Sequence, residues 1–368
     1  MKLTALITAF SVLAAPAVSE DLLLKDALAF SGQIFHIDTG VPGLVIAAVR
    51  NGETAVYGFG ETEKGNGQAP DADTVIGVGS ITKTFTGLTL ANLVQDGTAS
   101  LTDLAGPFID IIEKMPEQDG HQIRLIDLAT HSAGTPRELA AFDGIERYSD
   151  ESFVANVNGA PLLFSPGTGV LYSNVGFDLL AMALAGAAGK SYDALLQEQV
   201  LDPIKLTATS YARPTGNNVM TGYDWNGNKM DPGPAIPNRQ GASQLHTTAN
   251  DMLEYLKWNL DRFADPDSEA RNISHAAWLI RDGLNPVYGL DESGQMDAMG
   301  LGWVIMMPDG DRPLILQKAG GTNGVFSYVA FAPNRDVGVF MSINQFNFAA
   351  GIEMAELVND LIMTLAPR

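Results

Sequence analysis

Apolar positions recur along the chain with two different periods, and each change of period marks a boundary. Leu24, Ala27, Leu28 and Ile34 are spaced for one face of a helix, so Asp21 to Phe35 reads as amphipathic. The period then shortens. Leu44 to Arg50 and Glu53 to Phe59 flank Asn51-Gly52, a dipeptide suited to a type I′ turn, and predict a β-hairpin. Phe85, Leu88, Leu93 and Val94 restore helical spacing over Thr84 to Gln95, with Gly97 as a stop, and predict a helix buried on one side. Helical patterns dominate from Lys83 to about Asp282. Tyr192 to Leu201 and Asn250 to Leu260 are examples, the second introduced by Thr247-Thr248 as candidate N-caps. Between them, Pro214 to Gly241 is rich in Gly, Pro and Asn and has no period. Its Tyr223 and Trp225 suit either a cleft wall or anchors that pin the segment.

Strand patterns return in Gly302 to Met307, Leu314 to Lys318, Val325 to Phe331 and Val337 to Ile343, separated by turns such as Pro308-Asp309-Gly310. Ile352 to Leu365 reads as a closing helix. The expected class is therefore α+β. An antiparallel sheet is built from about 20–75 and 295–368, with helices packed on it and a mainly helical region inserted over about 80–290. A cleft is expected between sheet and helical region.

Composition narrows the function. The formal net charge of −21 excludes a nucleic-acid partner, which would need clustered Lys and Arg. Lys2, the apolar run Leu3 to Leu13 and the small residues Ala15-Pro16-Ala17-Val18-Ser19 have the form of an export signal over residues 1–19, cut after Ala17 or Ser19. No later run is long enough to span a bilayer, so a soluble periplasmic protein is expected. The absence of cysteine removes disulfides, thiol catalysis and thiolate metal sites. The five histidines show no metal-ligand spacing, and neither a metal nor an organic cofactor is implied.

The candidate chemistry begins at Ser80-Ile81-Thr82-Lys83, which follows Gly79. Positions i and i+3 share a helix face, so the Lys83 amine can reach the Ser80 hydroxyl and take its proton during attack. The free N–H groups of a helix start also favour a developing oxyanion. Two further motifs follow in order. Tyr172-Ser173-Asn174 begins a helix after Pro166-Gly167-Thr168, and Lys318-Ala319-Gly320 ends a strand and runs into Gly321. The Gly320-Gly321 pair follows a strand without opening a helix, so it is not a phosphate loop.

With these motifs in this order, the chain resembles the class C β-lactamase family of penicillin-recognising serine enzymes, which also includes carboxypeptidases and esterases. His131 to Glu138, Gly222-Tyr223-Asp224 and Gly241 to Asp251 resemble its D-alanyl-D-alanine carboxypeptidase/endopeptidase branch, often called AmpH. The resemblance implies that Ser80 forms an acyl-enzyme and that Lys83 and Tyr172 share the proton relay. Which of the two is the base stays open. It further implies that Asn174, Lys318, Gly320 and Gly321 bind substrate, with the N–H groups of Ser80 and Gly321 as oxyanion hole. Many members have threonine where this chain has Ala319. The missing hydrogen bond to a charged group is worth about 1.5–3 kcal/mol, which weakens the case for an efficient β-lactamase and leaves acyl transfer intact.

The leading expectation is thus a peptidase of small-molecule or peptidoglycan peptide substrates that penicillins acylate. The alternatives are a β-lactamase, a carboxylesterase of the same fold, and a non-enzymatic binder of cell-wall peptides.

Overall fold

The computed structural model describes residues 21–159, 161–232, 235–263 and 268–366, so the expected export signal over residues 1–19 lies outside the described residues. Asn51 and Gly52 both take positive φ, +50° and +81°, the pair a type I′ turn requires. They join β1 (Gly43–Arg50) to β2 (Glu53–Gly60), with Arg50 opposite Glu53. The other sheet strands come from the far end of the chain: β3 (Leu279–Ile280), β4 (Ala298–Met299), β5 (Val304–Met306), β6 (Ile315–Thr322), β7 (Val325–Ala332) and β8 (Val337–Ile343). The order is β2-β1-β8-β7-β6-β5-β4-β3, and every neighbouring pair is antiparallel. This is the α+β sheet architecture that the patterning predicts. β3 falls inside the stretch expected to be helical, because a two-residue strand is too short to show a period.

Alternation along the central strands divides the interior into two layers. Leu44, Ile46 and Ala48 of β1 pack with Val337, Val339, Met341 and Ile343 of β8, under α1 (Leu22–Thr39) and the closing helix. Val45, Ala47 and Val49 point the other way, into a larger core with Phe340, Phe331 and the helices of the middle region. That core holds α2 (Thr82–Gln95), α3 (Asn174–Ala188) and α4 (Ala249–Leu260). The closing helix, α5 (Phe348–Leu365), lies beside α1. Both faces of the central strands are covered, so β1 and β8 read as continuous apolar runs.

Three local expectations are corrected. In α1 the buried face is Leu24, Leu28, Gly32 and Phe35, whereas Ile34 is exposed, one residue and about 100° off that face. Tyr192 to Leu201 is not one regular helix: Tyr192–Leu196 passes into a π turn over Gln197–Leu201. The third correction concerns α2, which is buried on nearly all sides and not on one. Its threonines make this possible by returning their hydroxyls to carbonyls of the preceding turn, Thr84 to Ile81 at 2.9 Å and Thr89 to Phe85 at 2.9 Å. Polar letters therefore conceal a core helix. Because α2 is central, whatever sits at its start is held between the sheet and the helical layer.

Candidate active site

Ser80 sits in a 3₁₀ turn, Gly79–Ile81, that leads directly into α2. Two glycines let β6 come against this turn backbone to backbone. Gly79 has φ +50°, and a Cβ there would lie 2.6 Å from the Gly321 carbonyl oxygen. A Cβ on Gly320 would fall 2.1 Å from the Val78 carbonyl oxygen and 3.0 Å from the Ser80 nitrogen. Pairing between β5 and β6 ends at Gln317, so among the described residues no sheet strand covers that edge of β6 from Lys318 to Thr322. The peptide groups of Ser80 and Gly321 thus lie side by side at an open strand edge, a fitting place for an oxyanion or for a peptide lying along the strand.

Lys83 is fully buried, and its ammonium nitrogen has three neighbours: Ser80 Oγ at 3.0 Å, Asn174 Oδ1 at 2.7 Å and the Ala242 carbonyl oxygen at 2.7 Å. Burial, with Lys318 nearby, holds its pKa well below the ordinary lysine range, against the opposing pull of Asp178. Three acceptors would also saturate an ammonium, but in the amine form the geometry is decisive. The two carbonyl-type oxygens only accept, so they take the two N–H bonds and leave the lone pair facing the Ser80 hydroxyl.

Each acceptor is held in turn. The Asn174 amide nitrogen donates to Glu138 Oε1, which turns Oδ1 toward Lys83. Glu138 also accepts from Arg239 at 3.1 Å and from the Tyr148 hydroxyl at 3.2 Å. Burial works to raise the Glu138 pKa, yet Arg239 and the Asn174 hydrogen bond leave it lowered. Asp178, one turn after Asn174 on α3, accepts from the Ala242 N–H at 3.0 Å and so orients the carbonyl that Lys83 uses. Burial pushes Asp178 up to about 8.

The third arm is Tyr172, placed just before α3, whose N-cap Ser173 accepts from the Gly176 N–H at 2.9 Å. His131 holds this segment by accepting the Ser173 N–H on Nδ1 at 3.0 Å, and its ring lies 4.6 Å from that of Tyr172. It has a structural part here. Three basic side chains face the Tyr172 ring, with Lys318 Nζ at 4.6 Å, Arg137 Cζ at 4.7 Å and Lys83 Nζ at 4.9 Å. Even so, burial pushes the phenol up to about 12, outweighing the hydrogen bond with Ser80 and the charge of Arg137. A resting phenolate, the form that neighbouring ammonium groups would favour, is therefore not supported. Burial pushes Lys318 down to about 7, with Arg137 acting in the same direction and Glu292 opposing.

Ser80, Tyr172, Asn174, Lys318, Gly320 and Gly321 all line one cavity of about 570 Å³, with Lys83 directly beneath. Of the irregular segment Pro214 to Gly241, Pro232, Ile236 and Arg239 reach this cavity, whereas Tyr223 and Trp225 do not. Tyr223 is buried and accepts from the Lys64 N–H at 2.8 Å, so it is an anchor. Trp225 is exposed against Phe346 and Phe348. Arg239, Asp178 and the Ala242 carbonyl are parts of the site that sequence patterns did not single out. A lone acid in an apolar helix, four residues after Asn174, was the available signal for Asp178. Among the described residues no group of three or more His, Asp or Glu side chains converges as a metal site.

The family profile described as Beta-lactamase matches residues 21–361. The D-alanyl-D-alanine-carboxypeptidase/endopeptidase AmpH of Escherichia coli K12 is 30% identical, covering 97% of this chain and 93% of its own. A Beta-lactamase of Pseudomonas fluorescens is 23% identical over 83% of this chain and 89% of its own. Among solved structures, a Beta-lactamase/D-alanine Carboxypeptidase from Yersinia pestis, complexed with citrate, superposes with a TM-score of 0.83 at 28% identity, covering 94% of this chain and 99% of that one.

The close approach of β6 to the Ser80 turn yields a prediction. Gly320→Ala should fold, since the strand can move outward, but lose on the order of 10²-fold in kcat/KM, the usual cost of a misplacement near 1 Å. Steady-state kinetics with a circular dichroism control checks it, and a fully active variant would contradict the packing described.

Proposed function

Since the chain belongs to the Beta-lactamase family and is a serine hydrolase of it, we propose that it is a periplasmic D-Ala-D-Ala carboxypeptidase/endopeptidase acting on peptidoglycan stem peptides. Ser80 is its nucleophile and Lys83 its general base. The observation that carries this reading is the dry Lys83 amine, 3.0 Å from Ser80 Oγ, with both of its N–H bonds engaged by oxygens that can only accept.

In acylation Lys83 takes the hydroxyl proton as Ser80 attacks the penultimate D-alanine carbonyl. The peptide N–H groups of Ser80 and Gly321 receive the developing oxyanion, and Asn174 holds the acyl side. The Tyr172 hydroxyl, protonated at rest, passes a proton to the departing amine and is reprotonated by Lys83, which carries the proton it took from Ser80, so the relay is neutral overall. Lys318 attracts the carboxylate of the leaving D-alanine. A water then repeats the sequence on the acyl-enzyme. With cations gathered at Tyr172, a substrate carrying a carboxylate fits better than a neutral ester.

The export signal expected over residues 1–19 supports the periplasmic setting. Among the described residues no helix is long and apolar enough to cross a membrane.

Incubation with a fluorescent penicillin, followed by intact-mass analysis, should show one acyl adduct that Ser80→Ala abolishes. Hydrolysis of cell-wall peptides by that variant should fall by about 10⁴-fold or more. Acyl transfer that survives Ser80→Ala overturns the assignment, while rapid loss of label with β-lactam turnover supports a β-lactamase.

The position of Lys318 also sets a pH dependence. Its pKa in the free enzyme is depressed to about 7, so its charge is lost as pH rises through that value, and kcat/KM reports the free enzyme. The ratio of kcat/KM for a carboxylate-bearing substrate to that for its carboxamide should fall as pH rises through neutrality, and should be flat in Lys318→Ala. A ratio independent of pH in the unaltered enzyme would contradict the assignment of Lys318 to the carboxylate.

A further inference from the structure

We propose that Arg137 is a specificity-determining residue, the second anchor for the carboxylate of the group that leaves when Ser80 is acylated. This rests on the peptidase reading above and adds to it a residue and a reason for preferring a free C-terminal carboxylate.

Position comes first. Tyr172 delivers the proton to the departing nitrogen, and in a terminal amino acid the carboxylate is one carbon from that nitrogen. It must therefore lie beside the Tyr172 ring. Two cations face that ring from the cavity, Lys318 at 4.6 Å and Arg137 at 4.7 Å. Lys318 offers a point charge, and its neighbour Ala319, also in the cavity wall, offers a methyl group and no donor. One ammonium attracts a carboxylate without fixing its plane, whereas the planar fork of a guanidinium binds both oxygens in one orientation.

Availability comes second. Arg137 is exposed in the cavity, and among the described residues its guanidinium makes no hydrogen bond or ion pair within the protein, only the contact with the Tyr172 ring. Of the carboxylates nearby, Glu138 accepts from Arg239, Tyr148 and Asn174, and Glu292, also in the cavity wall, makes no ion pair with Arg137 among the described residues. The main chain of Arg137 is nevertheless fixed, because its carbonyl accepts the Asn174 N–H at 2.9 Å. The loop opposite leaves room for a ligand. Gly289 has φ +75°, and a Cβ there would lie 3.1 Å from Tyr172 Cβ and 3.7 Å from Arg137 Nη1. A side chain at this position would crowd both Tyr172 and the guanidinium.

The test compares two peptides ending in D-Ala-D-Ala that differ only in a free C-terminal carboxylate or a carboxamide, together with a matched pair of thioesters whose leaving groups carry or lack a carboxylate. In Arg137→Gln the ratio of kcat/KM for the carboxylate to that for the carboxamide should fall about tenfold to a hundredfold, mainly through KM. Arg137→Lys, which keeps charge but not the fork, should fall between Arg137→Gln and the unaltered enzyme. An unchanged ratio in both variants overturns the proposal, as does an equal loss on both members of each pair. If the unaltered enzyme releases neither D-alanine nor D-alaninamide from its respective peptide, the peptidase reading fails. The thioester ratio then decides the role of Arg137 separately.

Discussion

An amine shut away from water beside a serine hydroxyl is the constraint on which this site depends. A solvated lysine would hold its proton at neutral pH and could not accept another. Lys83 is buried at the start of a helix that is itself buried on nearly every side, and desolvation disfavours its charged form. The neighbouring Lys318 acts in the same direction. The two carbonyl-type acceptors then decide where the lone pair faces. Glu138 and Asp178 do not touch the hydroxyl; they accept from the Asn174 amide and the Ala242 N–H and so hold the two residues whose oxygens orient the amine. The proposed base is thus tuned by burial and aimed by hydrogen bonds, two effects that come from different parts of the chain.

The fold supplies both. A sheet covered on two faces provides a dry layer, and the open edge of β6 meets the start of α2 where two glycines permit main-chain contact. Tyr172 enters from the start of α3, held by His131 and the cap at Ser173. Each of the three motifs therefore sits at an element boundary, where side chains can converge from different layers without disturbing the core.

Much of this was legible in the sequence because those boundaries carry local chemistry. Asn51-Gly52 specifies its turn, Thr248 caps α4 as expected, and Ser80, Tyr172, Asn174 and Lys318 meet in one cavity with Lys83 beneath it. What could not be read depended on tertiary contact. The burial of α2 was hidden by threonines that satisfy their hydroxyls on their own helix. The carbonyl of Ala242 leaves no trace in side-chain letters, although it is one of the groups that aim Lys83. Tyr223 could have been wall or anchor, and only its packing against the segment at Lys64 decides for anchor. The choice between Lys83 and Tyr172 as base was open in the sequence for the same reason: our proposal of Lys83 rests on burial, which pushes the phenol up and the amine down.

The most direct test of this account is the titration of Lys83 itself, followed by NMR of lysine labelled with ¹³C at Cε and assigned with Lys83→Met. The account predicts a resonance that titrates well below the ordinary lysine value of about 10.4. A Lys83 resonance titrating at that ordinary value, in an enzyme that still acylates, would contradict the central claim that a neutral amine activates Ser80.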